Sequence, residues 1–258
     1  MNGVVELGLL QMVAAYLLLV AVGLVMRSCK VDKTKMLTVA TMRMTIQLVI
    51  AGVILCYIFE EESRILTALY LLAMVLFTVY RVLSKFKDLN PRFKKRIALS
   101  IGMSGAFVIA YFVCIVVGED LLNPQYAIPI AGMLMGNTMN AVSLGVKTFT
   151  ESLEGRRTEI NAMMCCGASS ETILLPFVRQ SMATAILPTM NSMIGMGIVF
   201  LPGMMTGQML AGVLPTTAIL YQMAIMAAIC AVVCGSAFSA LHFGSRTMYD
   251  KDTQIITF

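Results

Sequence analysis

Seven apolar stretches, at about residues 4–26, 37–59, 65–84, 97–117, 125–148, 183–200 and 215–243, occupy most of the 258-residue chain. A run of ~20 residues rising ~1.5 Å each covers a ~30 Å hydrocarbon core, so every stretch is long enough to cross a bilayer. The pattern predicts an all-α polytopic membrane protein with seven transmembrane helices in a single domain over 1–258. Composition agrees, because 59% hydrophobic and 13% charged residues are rarely combined in a soluble domain of this length.

The charges set an orientation. Of 19 Lys and Arg residues, 17 fall on alternate connections, the helix ends beside them and the tail. They are Arg27, Lys30, Lys33 and Lys35; Arg81, Lys85, Lys87, Arg92, Lys94, Lys95 and Arg96; Lys147, Arg156, Arg157 and Arg179; and Arg246 with Lys251. The opposite connections hold Arg64 beside Glu60, Glu61 and Glu62, then Glu119 and Asp120. The positive-inside rule therefore predicts an N-terminus outside and a C-terminus in the cytoplasm. The net charge of +5 reads as a topology signal, and no nucleic-acid partner is expected. Glu6 and the lack of a basic n-region mark the first stretch as a retained span, not a signal peptide.

Metal chemistry is weakly signalled. The 7 cysteines form no CxxC, and they lie mostly in spans or on the side predicted to be cytoplasmic, where thiols stay reduced. Cys165 with Cys166, and Cys230 with Cys234, suit either a soft ion or plain packing. The 23 methionines cluster at Met133/Met135/Met139, Met190/Met193/Met196 and Met204/Met205/Met209, where thioethers fill irregular gaps as readily as they bind Cu(I). The metal ligands, if any, are unknown from sequence.

Three segments stand out. The connection 149–182 is the longest and has its own helical pattern: Ile160, Met163, Met164 and Gly167 make an apolar stripe, Gly167 stops that helix and Ser169 caps the next. It predicts two short helices on the membrane surface. In the fifth stretch Gly132, Gly136, Asn140, Ser143 and Lys147 share one helix face, with Asn137 beside it, and this face reads either as a close helix seam or as a pathway lining. Arg43, with Gln47 one turn on, is a cation inside a span, which either faces the protein interior or snorkels to the headgroups. Beyond the sixth stretch, Leu201, Pro202, Gly203, Met204, Met205 and Gly207 run on to Pro215. They predict a half-helix between breakers, either an outer gate or an exposed loop.

Glu159, Asn161, Ala162 and Met163, followed by Gly167, Ala168, Ser169 and Leu175-Pro176, resemble the coupling loop of ABC transporter permeases, with Asn161 where that family usually has Glu. IPIAGMLMGNTMNAVSLG at 128–145 and LPGMMTGQMLAGVLPTTAILYQ at 201–222 resemble the FetB (YbbM) type permeases, a family associated with iron export and related to plant aluminium-tolerance half-transporters. The likeness extends to Arg43 and Gln47 in MRMTIQL and to Asn191 in LPTMNS. It implies a homodimeric permease in the bacterial inner membrane, coupled through 159–169 to a separate ATP-binding subunit that carries ATP and Mg. No GxxxxGK[ST] pattern occurs in the chain, so no nucleotide site is expected here. The same likeness puts Arg43, Gln47, Asn137, Asn140 and Asn191 near the route, while Gly132, Gly136 and Ser143 belong to a face that is either substrate path or helix seam. The competing readings are a secondary transporter or channel, which would need carboxylates or a filter in the spans, and an intramembrane enzyme, which would need a catalytic constellation; neither feature is found.

Overall fold

The structure, a computed structural model, describes residues 8–31, 33–61, 63–87 and 89–248. Glu6, Glu62 and Lys251 lie outside the described residues. In chain order the helices are α1 (Leu9–Ser28), α2 (Thr34–Glu61), α3 (Arg64–Leu83), α4 (Pro91–Tyr111), α5 (Pro124–Gly155), α6 (Arg157–Cys165), α7 (Ser170–Gly195), α8 (Gly203–Leu210) and α9 (Pro215–Ser245). Their starts are written locally. Asn90 and Asn123 each precede a proline at the first helical position, and their side-chain oxygens accept from Arg92 N–H at 3.0 Å and Gln125 N–H at 3.2 Å. α4 runs on into a π turn, Phe112–Val117, which Gly118 ends at φ 78°.

Among the described residues, α1, α2, α3, α4 with its π turn, and α9 are long and apolar enough to cross a membrane. α5 and α7 are long as well, at 32 and 26 residues, but polar side chains dilute them: Asn137, Asn140 and Lys147 on one, Gln180, Thr184 and Asn191 on the other. Position explains the difference. α5 lies against α3, α4, α7 and α9, so much of its surface meets protein and need not suit lipid.

Helices in lipid gain little from burial as such, and close packing holds them together. The contacts here show it. Gly244 of α9 sits against the Phe93 ring of α4, Gly105 of α4 against Met135, and a Cβ at Gly145 would lie 3.1 Å from that of Ala185 on α7. Phe93 in turn meets Phe149 of α5 edge-on, with centroids 6.1 Å apart at 74°. These contacts gather the α4 start and the α5 and α9 ends at one pole, where most of the basic residues lie. Arg64 and Asp120 pair at 3.2 Å at the other pole.

Two expectations change. The sixth stretch is not 183–200: α7 starts at Ser170 and runs unbroken to Gly195, with Pro176 and Pro188 inside it. The second surface helix foreseen in 149–182 is therefore the first turns of this long helix, and the first part of that segment is the end of α5. Neither proline stops α7, because each costs one amide bond in a helix otherwise held by α5 and α9. The break comes at Gly195, where the chain turns through Gly197 (φ 82°) and Gly197 N–H reaches Phe200 O at 3.0 Å.

Gly244→Ala would drive a methyl into the Phe93 ring, which is fully buried. We expect a loss of about 1–3 kcal/mol, read as a lower melting temperature in detergent. Gly102→Ala in α4, with open space around it, is expected to be neutral or stabilising.

Candidate coupling face and polar membrane groove

α6 is a short amphipathic helix seated on the bundle. Ile160 is fully buried among Phe149, Leu153, Ile173 and Phe177, with Met163, Met164 and Ala168 half-buried beside it. Apolar side chains at i, i+3 and i+4 thus seat the helix on α5 and α7. The opposite face, Glu159, Asn161 and Ala162, is exposed, and so are Cys165, Cys166, Gly167 and Ser169. Met163 and Ala168, foreseen as coupling residues, face mostly inward.

The end of α6 is fixed by backbone geometry. Gly167 stands at φ 78°, its N–H bonds Met164 O at 3.0 Å, and Ala168 N–H bonds Met163 O at 3.1 Å. This is a Schellman closure, with glycine at the left-handed position. Ser169 Oγ then accepts from Thr172 N–H at 3.3 Å and opens α7. Two contacts tie the assembly down: the Arg156 guanidinium lies 5.9 Å from the Phe177 ring centroid, and Arg246 at the end of α9 pairs with Glu171 at 2.7 Å.

The α5 face, Arg43 and Gln47 lie along the groove between the adjoining helices α2, α3 and α5. Met74 Cε of α3 lies over Gly132, 3.2 Å from where a Cβ would stand, and Lys85 Nζ donates to Ser143 Oγ at 3.2 Å. These contacts are eleven residues apart on both helices, so α3 and α5 run parallel in fixed register. Ser143 is buried at this contact, whereas a Cβ at Gly136 would meet nothing within 4 Å and Asn137, Asn140 and Lys147 are exposed. Asn137 Nδ2 donates to Met133 O at 2.8 Å, and Lys147 lies 3.6 Å from Glu151. On α2, Arg43 and Gln47 are exposed, and the Arg43 guanidinium rests 5.9 Å from the Phe77 ring centroid. Asn191 is exposed on α7; counting from the Gly145–Ala185 contact along antiparallel helices, it stands level with Met139.

Sequence reasoning missed Phe77, Arg81 and Lys85 as part of this groove. The signal was present: Met74, Phe77, Arg81 and Lys85 share one face of α3 and the turn after it, but the two cations had been counted only for topology. Lys85 is held below the usual lysine range by partial burial and then by the charge of Arg81.

Beyond α7, α8 is the half-helix foreseen between breakers. Pro202 stands just before it, Gly203 and Gly207 are exposed, Met204 is half-buried, Met205 is buried, and α8 packs on α9. Among the described residues no group of three His, Cys, Asp or Glu converges on a common point that would suit a metal ion.

Residues 9–249 match the uncharacterised protein family UPF0014. The chain belongs to that family. It is 34% identical to a UPF0014 membrane protein of Synechocystis over 71% of each chain. It is 30% identical to the probable iron export permease protein FetB of Escherichia coli, over 83% of this chain and 82% of that one. It is 27% identical to the protein Aluminum Sensitive 3 of Arabidopsis thaliana, over 83% of this chain and 78% of that one. The family resemblance read from the motifs is thus borne out, and with it a multi-pass membrane protein. No solved structure matches the chain.

Gly136→Leu adds a side chain where the chain leaves open space, so its melting temperature in detergent is expected to be unchanged. Leu134, on the other side of α5, is fully buried. Leu134→Ala is expected to cost about 2 kcal/mol or more.

Proposed function

We propose that this chain is the membrane subunit of an ABC-type exporter of metal, iron foremost, which works as a homodimer with two separate ATP-binding subunits. Its α6 face carries the reading: a short helix at the basic pole, locked by Ile160 and the Gly167 closure, with Glu159, Asn161 and Ala162 turned outward. ATP and Mg belong to the partner, whose closure moves α6 and, through it, α5 and α7 as rigid bodies. The Escherichia coli relative, named as a probable iron export permease, supports the cargo.

The same proposal takes all seven long helices as spans of a single permease domain, with the N-terminus outside and the C-terminus cytoplasmic in a bacterial inner membrane. Basic residues at the α6 pole support this orientation. The exposed amides Asn137 and Asn140 support the homodimer, since lipid offers them no partner and a second copy or an enclosed route does. Pro202, Gly203, Met204, Met205 and Gly207 then form the outer gate.

Reconstitution with the ATPase tests the whole. We expect ATP-dependent iron movement. Gly167→Val forces a β-branched residue into the left-handed region, at a cost of roughly 1–2 kcal/mol, and is expected to abolish ATPase stimulation at normal membrane expression. Gly136→Leu is expected to stop transport in a stable protein. An ATPase rate unchanged by Gly167→Val would remove the coupling role from α6, and movement driven by an ion gradient without ATP would favour a secondary transporter.

A further inference from the structure

The groove along α2, α3 and α5 has an electrostatic character that a route for bare metal cations would not have. Its cations form a ladder. Arg43 lies on Phe77; Arg81 is one turn further along α3; Lys85 follows one turn later and bonds Ser143. The register set by Met74–Gly132 and Lys85–Ser143 puts Phe77 level with Met135 and Arg81 level with Met139. Arg43, Arg81 and Lys85 therefore stand at the depths of Gly136, Asn140 and Ser143, spread over about 12 Å of α3.

Nothing described neutralises them. Of the three ion pairs among the described residues, Arg64–Asp120, Lys147–Glu151 and Arg246–Glu171, none includes a member of this ladder. Glu154 lines the cavity of about 230 Å³ that Lys85 enters below the groove, without pairing with it. The α5 wall contributes amides and a hydroxyl and no carboxylate until Glu151. Cations of one sign, lined up beside low-dielectric walls, concentrate anions and repel a free divalent metal. Guanidinium forks and amide N–H groups are also the donors that carboxylate and phosphate oxygens accept from.

We infer that the groove binds a soluble oxyanion, a carboxylate- or phosphate-bearing solute, and that a metal leaves through it as the anionic complex of such a solute and not as the bare ion. This rests on the proposed transport role, because it takes the groove as the cargo's entry from the basic pole.

Equilibrium binding to the purified chain in zwitterionic-lipid nanodiscs tests it, with radiolabelled citrate and pyrophosphate as probes and free Mn²⁺ as comparison. We expect saturable binding of at least one anion, weakened tenfold or more by Arg43→Gln and by Lys85→Gln, retained in Lys85→Arg, and unchanged by Lys95→Gln, an exposed cation of α4 away from the groove. Asn140→Asp, which keeps every cation and adds one carboxylate, is expected to weaken binding as strongly. Melting temperatures identify any variant that fails to fold. Three results would overturn the inference: no saturable anion binding by the wild type, an equal loss in Lys95→Gln, or Mn²⁺ binding without anion binding. Displacement of citrate by added phosphatidylglycerol would assign the groove to a lipid headgroup and overturn it as a cargo site. No ATPase or nucleotide is present, so failure of the chain to recruit an ATPase would sink the exporter proposal and leave this measurement standing.

Discussion

In hydrocarbon a polar side chain can bond only to protein or to trapped water, and that constraint orders this molecule. α5 carries Asn137, Thr138, Asn140, Ser143 and Lys147 among the apolar helices, and it can do so because α3, α4, α7 and α9 surround most of it. Ser143 accepts from the Lys85 ammonium, whereas Thr138 Oγ1 is buried without a hydrogen-bond partner among the described residues. Where no neighbour is present, the surface is left open at Gly136 and Asn140, between the Met74 and Lys85 contacts.

The same helices carry the short surface helix. α5 ends at Gly155 and α7 begins at Ser170, so α6 is a short bridge between two core helices. Its anchor, Ile160, belongs to the same packed cluster as Phe93, Phe149, Phe177 and Leu241. A push on α6 is therefore delivered to α4, α5, α7 and α9 together, because close-packed interiors transmit displacement instead of absorbing it. Gly167 matters for the same reason: a closure built from two backbone bonds and one left-handed residue holds its angle better than a loop would.

The stop at Gly167, the cap at Ser169 and the half-helix at 203–210 were legible, because each is written in a few adjacent residues. The start of α7 was not. Ser170 to Met182 mixes Glu171, Arg179 and Gln180 with apolar residues, and hydropathy reads such a segment as surface, whereas burial of Ile173, Leu174, Phe177 and Val178 against the core makes it part of a long helix. The groove was half legible. Helical spacing picked out the α5 face and Arg43, but the α3 contribution depends on a parallel register between helices that only two tertiary contacts reveal.

Arg43 shows why the register matters. Residue 43 lies nine positions into α2, about 14 Å along the axis from its start. A fully extended arginine reaches about 7 Å, and its charge could snorkel toward that end. Its guanidinium rests on Phe77 instead, a contact worth about 0.5–2 kcal/mol depending on desolvation, far less than the cost of an uncompensated charge at membrane depth. The anion proposed for the groove would supply the balance. α2 is also the wall least held by the rest of the chain, with Ile58 its one buried residue among those described, so it is the wall that moves at the lowest cost when the groove fills or empties.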